Sequence, residues 1–158
     1  MANPKDLSLS LIKKEDANKY KEKKRIYFDN GSKIDIDVAF RPTKISMVSA
    51  EVLNIIQEAL DNKKQLDAGV VLGITTMLII KHFTTIKIDG NMDYDGYMEM
   101  LKLMNDNGYT NKILESFDKD ELEKVYTEVN NALSMLGSEL NKLLVENGED
   151  NASVQESE

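Results

Sequence analysis

Arg25-Ile-Tyr-Phe-Asp-Asn-Gly-Ser-Lys-Ile-Asp-Ile-Asp-Val-Ala-Phe40 is the stretch whose reading decides the fold. Asn30-Gly31 stands between two strand-like runs, and that dipeptide suits the positive φ angles of a tight hairpin turn. In the second run Ile34, Ile36, Val38 and Phe40 point one way while Asp35, Asp37 and Ala39 point the other, because successive strand side chains alternate. A lone hairpin is not stable in water, so its apolar face must be covered by the rest of the chain.

Beyond Phe40 the apolar period becomes helical. Arg41-Pro42-Thr43 ends the strand, since proline cannot donate to a ladder and pushes its predecessor toward extended geometry. From about Ser46, Val48, Val52, Ile55, Ile56 and Ala59 form one stripe that runs to Leu60. A second helix is predicted from Asp67 to His82; it is apolar nearly all round, which marks the central element of a bundle. After a linker at Thr84 to Asn91, Asp93 caps a third helix carrying Tyr97, Met100, Leu101 and Met104, with Asn107-Gly108 as a left-handed stop. A short helix over Thr110 to Phe117 comes next. Asp118-Lys-Asp-Glu121 then reads as a capping box that opens the longest helix, whose Leu122, Val125, Val129, Ala132, Leu136, Leu140 and Leu143 recur at intervals of three and four. The fold class is therefore mainly α: an N-terminal β-hairpin followed by a bundle of about five helices with a long C-terminal helix.

Outside this block the composition shifts. Residues 1–23 mix a short apolar patch (Leu7, Leu9, Leu11, Ile12) with dense charge and read as a mobile charged arm, residues 24–144 as one domain, and residues 145–158 as a disordered acidic tail. With 158 residues, 41% of them apolar, the chain can bury one core. It has no Cys, which removes disulfides, thiolate metal sites and thiol nucleophiles. The first residues lack the charged start and apolar stretch of a signal peptide, and Val70 to Ile80 is about half the length of a spanning helix, so neither secretion nor a membrane partner is expected. A net charge of −8 repels phosphate backbones, although Lys13 to Arg25 holds seven bases against three acids.

Catalytic and ligand-binding chemistry finds little to build on. Asn91, Asp93 and Asp95 match the first positions of a calcium loop with Gly96 at its turn, but Lys102 falls where the bidentate glutamate belongs. His82, the one imidazole, sits at the end of an apolar helix beside Phe83, where it complements the helix dipole. Gly69 and Gly73 lack the Gly-Lys-Ser/Thr ending of a nucleotide loop and suit close helix packing instead. No nucleophile, base and orienter can be assembled, so the expectation is no enzyme, no cofactor and no metal. The methionines are more informative, because Met92, Met98, Met100 and Met104 gather around the third helix, and flexible thioethers suit surfaces that accept varied apolar segments. Met98, Met100, Leu101 and Met104, with Val129, Leu133, Leu136 and Leu140 on the last helix, are the candidate partner-binding residues.

Three stretches carry a family resemblance: Tyr27 to Thr43 before the helices, Ile79-Ile-Lys-His-Phe83, and Tyr94-Asp-Gly-Tyr-Met-Glu-Met-Leu-Lys-Leu-Met-Asn-Asp-Asn-Gly-Tyr109 leading to Asp118-Lys-Asp-Glu-Leu-Glu-Lys-Val125. Together, over about Arg25 to Leu144, they resemble the tail assembly chaperones of long-tailed, siphovirus-type phages and prophages of Gram-positive bacteria. The resemblance implies a non-enzymatic protein of the host cytoplasm, not expected in the mature virion, that binds the tape measure protein and other copies of itself and keeps the former soluble. It also implies a frameshift-extended form in which the end of this chain is bypassed. The alternative is a small dimeric regulatory adaptor whose basic arm, Lys13 to Arg25, contacts nucleic acid.

Overall fold

The computed structural model describes residues 3–155, with side chains described for all of these except Leu140 and residues 147–155. One helix, α1 (Leu9–Tyr20), precedes an antiparallel hairpin of β1 (Lys23–Tyr27) and β2 (Lys33–Asp37). Five more helices complete the chain: α2 (Pro42–Asp61), α3 (Ala68–Phe83), α4 (Tyr94–Asp106), α5 (Tyr109–Ser116) and the long α6 (Lys119–Gln155). The expected class, mainly helical with a hairpin leading into a bundle and a long last helix, is what forms.

The hairpin register pairs Lys23 with Asp37 and Tyr27 with Lys33. Its turn differs from the expected two-residue form. Phe28 N–H donates to Ser32 O at 2.9 Å and Gly31 N–H to Phe28 O at 3.0 Å, with only Gly31 at positive φ (84°). That is a three-residue loop whose left-handed position falls on glycine. Asn30 serves the loop through its side chain, accepting from Ser32 N–H at 3.0 Å and donating to Tyr109 OH at 2.8 Å, which ties the hairpin tip to α5.

β2 stops at Asp37, three residues short of the expected end, yet Phe40 is buried and stacks on Phe83 with centroids 3.8 Å apart and edge-on to Phe117 at 5.3 Å. Asp37 breaks the expected alternation by being buried. Lys23 and Lys44 both reach its carboxylate, Lys44 at 2.8 Å, so the charge is paired as burial demands. Pro42 does not merely end the strand; it is the first residue of α2, where its missing N–H is no loss and its fixed φ already suits a helix.

α3 is the centre. Gly73 through Ile80 and Phe83 are buried, with α2 and α4 against it and α6 beside its first half. Asp67 caps it by accepting Val70 N–H at 2.8 Å, and this bond, followed by one from Gln65, holds the Asp67 carboxyl below the usual range. Thr75 and Thr76 donate their hydroxyls to Val71 O and Leu72 O, so the apolar helix buries them without leaving a donor unpaired. Gly73 is a contact point: an added Cβ would lie 2.4 Å from Leu101 Cδ2 of α4. Gly69 has no such neighbour from another helix, only Asp67 Oδ1 at 3.3 Å, so close packing explains one of the two glycines.

The capping box at Asp118 is half formed. Asp118 Oδ1 accepts from Asp120 N–H and Glu121 N–H, but Glu121 does not reach back; its Oε2 accepts Phe40 N–H at 3.0 Å. Residues 1–23, read as an arm, contain α1 and the start of β1. α1 has no buried residue, and is joined to the body by Arg41, whose guanidinium pairs with Asp16 at 2.7 Å and lies 4.4 Å from the Tyr20 ring centroid. α6 continues over Val145 to Gln155, where composition predicts a disordered tail; that segment holds no proline and one glycine, so nothing in it forces a stop. Residues 156–158 of the expected tail lie outside the described residues.

Candidate functional site

The linker after α3 shapes the most apolar surface. Thr84 Oγ1 donates to Ile80 O at 2.7 Å and accepts Ile86 N–H at 3.1 Å, which turns the chain out of the helix. Thr84 then bridges Ile36, and Thr85 exchanges bonds with Asp35: its N–H donates to Asp35 O, and its Oγ1 accepts Asp35 N–H, both at 2.9 Å. The linker thus lies along the outer edge of β2 for two residues and leaves it. Ile86 projects between two grooves.

The first groove, about 390 Å³, is walled by Phe28 and Ile34 of the hairpin, Ile86, Met104, and Tyr109 and Ile113 of α5, with Lys33 and Lys87 at its rim. The second, about 290 Å³, is walled by Ile86, Ile88 and Met92 of the linker and by Met100, Leu103 and Met104 of α4. Leu103 is 54% exposed there. α4 presents these residues because Met100, Leu103 and Met104 follow the three-and-four spacing of one helix stripe. A third groove, about 350 Å³, lies between α3 and α6, lined by Val71, Leu72, Thr75, Tyr126, Val129 and Leu133.

The sequence-predicted candidates divide accordingly. Met100 and Met104 share the second groove, though Met104 is buried and forms its floor. Leu101 points elsewhere, onto Gly73, as a packing contact between α4 and α3. Met98 is half-buried against the core. Val129 is buried and Leu133 half-buried, both in the third groove; Leu136 is half-buried further along α6, and Leu140's side chain lies outside the described residues. Sequence reading missed Ile86, Ile88 and Leu103. The signal was there: Thr85-Ile-Lys-Ile-Asp89 alternates like a strand, and Leu103 stands three residues beyond Met100.

The polar residues weighed for chemistry are engaged structurally. His82 Nε2 lies 2.8 Å from Glu51 Oε1, and the other oxygen of Glu51 accepts from Lys81 at 3.2 Å. Burial works against the Lys81 ammonium, but its hydrogen bonds to Tyr97 OH and Glu51 outweigh that and hold its pKa above the ordinary value. Of the calcium-loop residues, Asp93 caps α4 by accepting Gly96 N–H at 2.9 Å, and Asp95 pairs with Lys64 at 3.2 Å. Among the described residues no three His, Asp or Glu side chains converge as a metal site, and no helix is long and apolar enough to cross a membrane.

No curated protein and no solved structure is significantly similar to this chain. A family model does match, the one described as YomO, and it spans residues 9–158, from the first residue of α1 through the linker, both Met-lined grooves and all of α6. The chain is a member of the YomO family.

Proposed function

We propose that the protein is a non-enzymatic chaperone of phage tail assembly, which binds the tape measure protein in the host cytoplasm and keeps it soluble until the tail tube encloses it. The observation that carries this reading is the pair of apolar grooves on either side of Ile86, with Met92, Met100 and Met104 in their walls. Thioethers bend to fit different apolar side chains, which suits a client whose helical repeats vary in sequence. An amphipathic helix can lay its apolar face into such a groove with anchors three and four residues apart. The net charge of −8 keeps the complex soluble. Membership of a family with a phage or prophage type of name is compatible with the reading.

The test is co-expression with a phage tape measure protein, the proposed client. Met100→Glu and Leu103→Glu change partly exposed groove residues and leave the buried floor intact, so circular dichroism and the melting temperature should hold. Co-purification of the client should fall at least about tenfold, the scale of about 1.4 kcal/mol of binding. A client recovered equally well with both variants would sink the groove as its site.

A further inference from the structure

We propose that copies of this chain associate head to tail, with the basic helix α1 of one copy docking on the acidic, apolar end of α6 of the next. Each surface leaves apolar side chains uncovered within the chain. α1 has no buried residue and leaves Leu9 and Ile12 67% and 44% exposed, with Leu7 just before it at 74%. A twelve-residue helix held only through half-buried Leu11, Asp16 and Tyr20 is marginal by length, so covering Leu9 and Ile12 would stabilise it. At the other surface every described side chain from Ser138 to Glu146 is exposed, including Leu143, Leu144 and Val145 at 55%, 68% and 60%.

Charge names the occupant. Among the described residues Lys13, Lys14, Lys19 and Lys21 make no ion pair, against the unpaired acids Glu15 and Glu22, whereas Asp16 is taken by Arg41. The sequence of α6 from Glu139 to Gln155 carries four acids and one lysine. Two such α6 ends laid together would set acid against acid, while α1 on α6 sets lysine against acid over apolar contacts.

Geometry makes the occupant a second copy. α1 is anchored at Arg41, and the neighbouring Phe40 donates its N–H to Glu121, so α1 lies at the end of the molecule where α6 begins. By Leu133, α6 has reached Ala68 at the start of α3. Leu143 is 22 residues beyond Glu121, about 33 Å along a helix, while α1 spans only about 18 Å. The α1 of the same chain is too short to cover it. Unlike surfaces meeting in this way make a heterologous contact, which builds rings or open chains.

Sedimentation velocity on the full chain, over rising concentration and at two salt levels, tests this. The wild type should exceed 17.9 kDa as concentration rises and fall back at high salt. Two variants, Lys13→Glu/Lys14→Glu/Lys19→Glu and Leu143→Glu/Leu144→Glu, each keep one surface and should each be monomeric with unchanged helical circular dichroism. Mixed in equal amounts they should form a 1:1 dimer that grows no further, because one intact α1 meets one intact α6. A wild type that stays monomeric would overturn the proposal. So would association that survives the lysine reversals, which would indicate a symmetric α6 pair, or a mixture in which both variants stay monomeric.

Discussion

Gly73 shows how much one missing methyl settles. It sits in the most buried helix of the chain, where glycine is about 1 kcal/mol worse than alanine, and in exchange it seats Leu101 Cδ2. Gly73→Ala should displace Leu101 Cδ2, the far end of a flexible half-buried side chain, at a cost that roughly cancels the helix gain, so the net change should stay within about 1 kcal/mol. In a Leu101→Ala background the same change should stabilise by about 1 kcal/mol, since the clash is gone and only propensity remains. A double-mutant cycle by urea unfolding reads the coupling, and additive effects would show that the contact is not tight. Residue-level reading of the sequence reached the glycine's role but not its partner, since Leu101 was read as part of a binding stripe. One helix stripe holds Met100, Leu101 and Met104 together, and only the neighbour's position decides that Leu101 faces Gly73 while Met100 faces the groove.

Among the elements, Glu121 links the two ends of the core domain. Its carboxylate takes Phe40 N–H at 3.0 Å and Lys124 at 2.9 Å, joining the segment after β2 to the first turn of α6. Glu121→Ala leaves a part-buried N–H without an acceptor and should cost about 1–3 kcal/mol in chemical denaturation, whereas Glu121→Gln, which keeps an acceptor oxygen, should recover most of it. Equal losses for both would show that the ionic contact to Lys124 is what matters. The same element explains one misread motif. Asp-x-x-Glu at a helix start is the pattern of a reciprocal cap, and the local sequence cannot reveal that a distant backbone N–H competes for the glutamate. Elements whose signals are internal were legible: α3 between Asp67 and Phe83, α4 after Asp93, and the hairpin around Asn30-Gly31. The exact turn was not, because Asn30 uses its side chain rather than a positive φ.

Across the whole molecule, stability and exposure are distributed unevenly. α3 is enclosed by α2, α4 and α6, while α1 is no more than half-buried anywhere and the described side chains of α6 from Ser138 to Glu146 are all exposed. Amide hydrogen exchange should mirror this: α3 amides exchange only through global unfolding, and those of α1 and 138–146 exchange fastest in dilute solution. Head-to-tail contact should slow exchange in both segments together as concentration rises. Protection that grows at 138–146 but not in α1 would contradict the α1 assignment. The two grooves beside Ile86 lie on another part of the surface, formed by the hairpin, the linker, α4 and α5, so client binding and self-association are separable by mutation.

The sequence by itself determined the elements and their order, because turn chemistry, caps and the two periods of apolar residues act within a few positions of one another. It also determined the absence of cysteine chemistry and the separation of basic and acidic ends. Tertiary structure alone decided which apolar residues are core and which are surface. Val129 and Met104 are buried, Leu103 and Leu144 are exposed, and all four belong to helical apolar patterns. A side chain's burial depends on what packs across from it, and that neighbour comes from a distant part of the chain.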